Sequence, residues 1–247
     1  MNYTATPRNV QWQDLSNQHK NARERLKMSL EEFINGINVP PIAIVGPYGS
    51  GKSELMCWGL QEVWKEHKIP AFMVHLEKLL KEIPDNIDPS DFVDILEGIV
   101  GKQLSDLQEL IDVDSEKAIP SKIYLPDMRS DDTLTSYFKE IYKDTFNLSD
   151  FKETLQSKKV VLFIDEMEQK YSELLQKVKV SDKAPLREVL ESVEKRLTSY
   201  YLVMSFGLTS AYETISGADE RRVQTIYISL PTPKNFASIV KNSPNAN

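Results

Sequence analysis

The chain has 247 residues, of which 40% are hydrophobic and 27% are charged, and its formal net charge at pH 7 is −7. This balance is typical of a globular protein with a substantial core, and it excludes a chain that binds nucleic acid through an overall basic charge. One cysteine and three widely spaced histidines exclude an internal disulfide and argue against a zinc cluster. No signal peptide or membrane-spanning run is recognisable, so a cytoplasmic location without a membrane partner is expected.

Hydrophobic periodicity divides the first third of the chain into helices and strands. Residues 1–38 are predicted to form an arm and a helix that Pro40 and Pro41 terminate. The elements predicted next are a buried strand over 41–45, a helix over 53–67 and a second buried strand over 71–76. Strand, loop, helix and strand in this order indicate a parallel crossover unit.

The rest of the chain continues this alternation after an interruption. Residues 78–157 are predicted to be a helical insertion in a core that covers 39–231. The later elements are a strand ending at Asp165, a helix over 167–178, a helix with Pro185 in its first turn, and strands over 200–205 and 224–230. The predicted fold class is therefore α/β: a five-stranded, mainly parallel sheet with helices on both faces.

The segment GPYGSGKS, from Gly46 to Ser53, is called the glycine loop here and fits the pattern G-x-x-x-x-G-K-[S/T]. It follows a predicted strand and opens a predicted helix, where backbone N–H groups and the helix N-terminus can bind phosphate. Lys52 would reach the β- and γ-phosphates and Ser53 would bind Mg²⁺. The alternative is a glycine-rich turn with an incidental lysine. The predicted nucleotide-binding residues are Gly46, Pro47, Tyr48, Gly49, Ser50, Gly51, Lys52, Ser53 and Glu54.

Two acidic residues follow the strand VVLFI and suggest the chemistry. Asp165 is predicted to serve Mg²⁺, and Glu166 to orient and polarise an attacking water. The alternative is a helix N-cap with a charged first turn. A kinase acting on a small molecule would rarely need the second acid, and no N-K-x-D guanine signature is found. The predicted cofactors are therefore ATP and Mg²⁺.

The glycine loop together with VVLFIDE resembles the AAA+ P-loop ATPases of the class with an additional glutamate. This resemblance implies a three-layer P-loop sandwich and a polar γ-phosphate sensor after the strand YYLVMS. The sensor candidates are Ser205, Thr209 and Ser210, of which Thr209 is preferred. The resemblance also implies an arginine that acts on a neighbouring subunit, with Arg221 or Arg222 as the candidate, and identifies 232–247 as the start of a helical lid. Solvated arginines paired with nearby carboxylates are the alternative.

The resemblance implies an ATP-hydrolysing module of a larger protein that drives remodelling or assembly of a partner. Within the family, the chain most resembles the initiator-like, transposition-regulator or phage-defence ATPases. A homo-oligomer or larger assembly is expected, with DNA as a possible partner through the full-length protein. The competing hypothesis is a nucleotide-dependent switch or scaffold with little turnover.

Overall fold

The computed structural model describes residues 17–112, 157–165, 167–179, 185–196, 199–208, 222–230 and 232. Its helices are α1 (Asn17–Ile34), α2 (Lys52–His67), α3 (Leu76–Glu82), α4 (Pro89–Asp112), α5 (Met167–Lys177) and α6 (Pro185–Arg196). Its strands are β1 (Ile42–Val45), β2 (Ala71–His75), β3 (Val160–Asp165), β4 (Tyr200–Phe206) and β5 (Gln224–Tyr227).

The five strands form one parallel sheet in the order β2-β3-β4-β1-β5. Strands β1 and β3 are buried along their whole length, which explains why their sequences are uninterrupted apolar runs rather than alternating ones. Strand β5 lies at the edge and is only partly buried. Strands β3, β4 and β1 are neighbours in this order and run parallel, so their carboxyl ends lie side by side at the same edge of the sheet.

Helices cover both faces of the sheet, so the predicted fold class is confirmed. Helices α1 and α2 pack against each other, and α3 packs against α5. On α1, the side chains of Leu26 and Leu30 are fully buried, as are Leu55 and Leu60 on α2. Burying such a side chain contributes roughly 1.5–3 kcal/mol to folding. The buried faces of the two helices and the sheet form a single hydrophobic core.

Helix α1 ends at Ile34, several residues before the two prolines that were predicted to terminate it. Gly36 adopts a left-handed conformation with φ 85°, and its N–H donates to the carbonyl of Phe33 at 2.9 Å. Lys159 Nζ donates to two carbonyls in the last turn, Phe33 O at 3.0 Å and Ile34 O at 2.5 Å. The Gly36 N–H and the Lys159 ammonium satisfy carbonyl groups in the last turn of α1. The helix therefore ends before Pro40 and Pro41, which do not set its boundary.

The described part of the predicted insertion, residues 78–112, is largely helical because it contains the end of α3 and all of α4. Between them, Ile87 pairs with Val178 in a short parallel bridge, which ties this connection to the end of α5. Helix α4 packs on α6. The longer segments on which predictions were made and that lie outside the described residues are 1–16, 113–156, 209–221 and 233–247.

Candidate functional site

The glycine loop lies between β1 and α2, at the carboxyl edge of the sheet. Gly46 donates its N–H to the carbonyl of Phe206, at the end of β4, over 3.1 Å. A Cβ added to Gly46 would lie 2.4 Å from the carbonyl oxygen of Ile228, just beyond β5. No real contact is that short, so the close approach of neighbouring backbones requires glycine at this position.

Two further glycines of the loop are required for a different reason. Gly49 has φ 76° and Gly51 has φ 95°, both in the left-handed region that other residues rarely adopt. A Cβ at Gly49 would meet nothing within 4 Å, so only its backbone conformation favours glycine. The N–H of Ser50 donates to the carbonyl of Pro47 over 3.2 Å and closes a turn that contains Gly49. Gly49 and Gly51 therefore set the shape of the loop, whereas Gly46 allows it to pack.

The end of the loop leaves two polar features without a partner among the described residues. Gly51 is the N-cap residue of α2, and no side chain caps this helix by a hydrogen bond within that part of the chain. The hydroxyl of Ser50 is buried and has no hydrogen-bond partner there. Buried hydroxyls and helix N-termini are normally satisfied, and an anion at a helix N-terminus is stabilised by the N–H groups and the helix dipole.

Lys52 begins α2, and its side chain turns back over the glycine loop. Its Nζ donates to the carbonyl of Gly46 at 3.0 Å and to that of Pro47 at 3.3 Å, and only 7% of the residue is exposed. Two backbone carbonyls of the glycine loop thus accept hydrogen bonds from this buried ammonium. The arrangement concentrates positive charge at the loop, where a bound phosphate could replace the two carbonyls as acceptor.

Asp165 and Ser205 form a buried pair at the same edge of the sheet. Asp165 ends β3, Ser205 lies near the end of the adjacent β4, and the Ser205 hydroxyl donates to Asp165 Oδ1. Burial, together with the negative charges of Glu54 and Asp165, raises the pKa of the Cys57 thiol on α2. The Asp165 carboxylate is therefore close enough to α2 for its charge to act there, and Cys57 is a buried core residue rather than a nucleophile.

The structure does not bring Arg222 into this site within one chain. Arg222 precedes β5 and so lies toward the amino edge of the sheet, whereas the glycine loop lies at the carboxyl edge. Its Nη2 is 3.2 Å from Glu191 Oε1 on α6. Four other residues considered for catalysis, Glu166, Thr209, Ser210 and Arg221, lie outside the described residues.

Sequence reasoning missed His19, which contacts the glycine loop from α1. Its Nε2 lies 2.9 Å from the carbonyl oxygen of Ser50, and the residue is buried. A signal was present in the sequence, because His19 shares one face of α1 with the buried residues Ala22, Leu26, Leu30 and Phe33. A polar residue in an apolar stripe needs a partner, but the periodicity alone did not identify it.

The described residues fit a phosphate chain and could hold Mg²⁺. The uncapped start of α2 and the Lys52 ammonium are suited to phosphate oxygens. Ser53 and Asp165 offer oxygen atoms, which are the ligands that Mg²⁺ takes, and proteins commonly bind this ion with one carboxylate and the phosphates of the nucleotide. The described residues contain no group of three or more His, Cys, Asp or Glu that could hold a metal ion.

Comparison with known proteins gives a match to structures and none to sequences. No protein-family model and no curated relative matches this chain. Among 149 matching chains of solved structure is the ORC2 protein of Aeropyrum pernix, determined as ADPNP-ADP complexes. It superposes with a TM-score of 0.50 and 10% identity, over 98% of this chain and 53% of that one. This chain thus spans about half the length of that protein, and the likeness shows that the two share an α/β fold.

One further property concerns membranes. Among the helices in the described ranges, none is both long enough and apolar enough to cross a bilayer.

Proposed function

We propose that this chain binds ATP through the glycine loop and hydrolyses it with Mg²⁺. The observation that carries the proposal is the placement of the buried Lys52, over the glycine loop, at the sheet edge that also holds the Asp165–Ser205 pair. Positive charge for phosphate and a carboxylate for a metal are thus supplied at one edge of the sheet. The ORC2 protein was determined as ADPNP-ADP complexes, and this supports the same ligand class.

The roles of the residues follow from their positions. Backbone N–H groups from Gly49 to Ser53 would bind the α- and β-phosphates, and the Lys52 ammonium would bind the β- and γ-phosphates. Ser53 and Asp165 would hold Mg²⁺, which when bound neutralises charge on the phosphate oxygens. Glu166, next to Asp165 in the sequence, would orient and polarise the attacking water.

Nucleotide binding would change the partners of Lys52. Its bonds to the carbonyls of Gly46 and Pro47 are bonds between a charge and neutral groups, whereas phosphate offers a charged acceptor. The exchange favours binding because the negative charge of phosphate attracts the ammonium more strongly than a neutral carbonyl does.

We extend the proposal to an assembly in which subunits share their sites. Arg222 lies toward the opposite edge of the sheet from the glycine loop, so it can act on phosphate only from a neighbouring copy. The division into an arm (1–38), an ATPase core (39–231) and the start of a lid (232–247) belongs to the same proposal. In this proposal, hydrolysis drives remodelling or assembly of a partner, with DNA as a partner through the full-length protein.

Phosphate release from Mg·ATP over a wide range of protein concentration tests the proposal. Lys52→Ala should abolish ATP binding, whereas Glu166→Gln should bind ATP but lose turnover. A switch that works without hydrolysis would bind ATP and show no release that Glu166→Gln could lower. Failure of the unmodified chain to bind ATP would refute the proposal.

Activity per molecule that rises with concentration, and is lost in Arg222→Ala, would support shared sites. Glu191→Ala, which removes an ion-pair partner of Arg222, is the matched control.

A further inference from the structure

Helix α1 contacts the glycine loop through His19. His19 lies in the first turn of α1, is 5% exposed, and places Nε2 2.9 Å from the carbonyl oxygen of Ser50. A carbonyl oxygen only accepts hydrogen bonds, so the Nε2 of His19 must carry a proton and donate it. The contact therefore defines which ring nitrogen is protonated.

The Ser50 carbonyl belongs to the same peptide unit as the N–H of Gly51. In a planar trans peptide these two groups point in opposite directions, and the described residues contain no cis peptide bond. The N–H of Gly51 therefore points away from His19. Because Gly51, with φ 95°, is a glycine, its own backbone would allow this unit to rotate at little energetic cost. A contact from outside the loop can therefore favour one orientation.

Helix α1 is well suited to provide that contact, because it is fixed along the edge strand. Ser229, beyond β5, donates its hydroxyl to Gln18, the residue before His19. Further along α1, Arg25 Nη2 donates to the carbonyl of Thr225 in β5 over 3.0 Å. These links hold α1 in register with the sheet, so the imidazole is presented to the glycine loop from a fixed position.

We propose that His19 is a positioning residue of the phosphate site: it holds the Ser50–Gly51 peptide so that the Gly51 N–H faces the phosphates. This inference rests on the proposed binding of ATP. His19 acts through the loop and touches no phosphate itself. Without its donor, the peptide is free to turn the Ser50 carbonyl oxygen toward the phosphate oxygens, which repel it, and one N–H donor is lost.

Three variants of the full chain test the proposal. His19→Leu removes the donor but keeps an apolar side chain of similar bulk, His19→Gln offers an amide N–H at similar reach, and Lys20→Gln changes the exposed neighbour as a control. Dissociation constants for Mg·ATP and Mg·ADP are measured by calorimetry. His19→Leu should weaken the binding of both nucleotides by roughly 10-fold or more, since the hydrogen bond from the Gly51 N–H to a charged phosphate is lost. His19→Gln should recover most of the affinity, and Lys20→Gln should match the unmodified chain.

The outcomes separate this inference from the function on which it rests. If the unmodified chain binds ATP and His19→Leu binds it equally well, the positioning role is refuted while ATP binding stands. If the unmodified chain binds no ATP, the proposed function fails and this inference fails with it. Long-range ¹H–¹⁵N spectra of the histidines, with His19 assigned by its absence in His19→Gln, provide a test without nucleotide. They should show a protonated Nε2, and an unprotonated Nε2 would refute the contact.

Discussion

Replacing Gly46 with alanine tests whether the first glycine of the loop is required by packing. The added Cβ would lie 2.4 Å from the Ile228 carbonyl oxygen and 2.6 Å from Ser50 Oγ, whereas real Cβ contacts essentially never fall below 3.0 Å. Ile228 cannot easily withdraw, because its N–H donates to the carbonyl of Val45 at 2.8 Å. The clash is therefore with backbone that is held in place.

Two other glycines complete a graded series for this test. At Gly59, on α2, an added Cβ would lie 2.9 Å from Leu26 Cδ2, the end of a flexible side chain. At Gly98, exposed on α4, it would meet nothing within 4 Å. Overpacking costs about 1–3 kcal/mol, and the backbone clash places Gly46→Ala near the upper value. Gly98→Ala should instead stabilise by about 0.5–1 kcal/mol through helix propensity, and Gly59→Ala should fall between them.

Thermal unfolding of the nucleotide-free proteins gives the comparison. At this chain length each kcal/mol shifts the midpoint by about 2–4 °C, so Gly46→Ala should lower it by roughly 6–12 °C. Gly98→Ala should raise it by about 1–4 °C on the same scale. A Gly46→Ala protein that unfolds at the midpoint of the unmodified chain, or of Gly98→Ala, would refute the packing argument.

Three further predictions concern Cys57, Lys159 and Ser205. Burial raises the pKa of Cys57, so the free energy of unfolding should fall as pH rises above about 9, because the unfolded chain releases this proton first; urea titrations at several pH values check this. Cys57→Ala should reduce this dependence, and the part that persists at higher pH comes from Tyr200 and Tyr201, whose pKa values burial also raises. Lys159→Met removes two hydrogen bonds to carbonyls at the end of α1 and should lower the free energy of unfolding by roughly 1–2 kcal/mol in urea; no change would contradict this capping role. Ser205→Ala removes the donor to Asp165 and should raise the Mg²⁺ concentration needed for half-maximal ATP hydrolysis, and an unchanged requirement would exclude that effect.

The elements of the sheet were predictable because their hydrophobic patterns are local. Runs such as VVLFI are buried on both faces, and an uninterrupted apolar run is the pattern that such a strand requires. The start of α6 was predicted from Pro185, which fits the first turn of a helix. The end of α1 was predicted wrongly, since the lysine that caps it comes from a distant part of the chain.

The candidate site was predictable only in part. The glycine loop is contiguous in sequence, so its glycines and Lys52 could be named from their spacing. The pairing of Ser205 with Asp165 depends instead on β4 being the neighbour of β3. Sequence reasoning preferred Thr209 as the polar residue after β4; its role stays a prediction, as does that of Glu166, because neither lies within the described residues.

The sequence by itself determined the alternation of strands and helices, the glycine loop and the acidic pair after β3, because each depends on residues near one another in the chain. Only the tertiary structure decided that His19 reaches the glycine loop, that Ser205 meets Asp165 and that Arg222 lies toward the opposite edge. These relations depend on strand order and helix docking, which set distances between residues 31 to more than 150 positions apart. Hydrophobic patterns specify that a face is buried, but not which neighbour buries it.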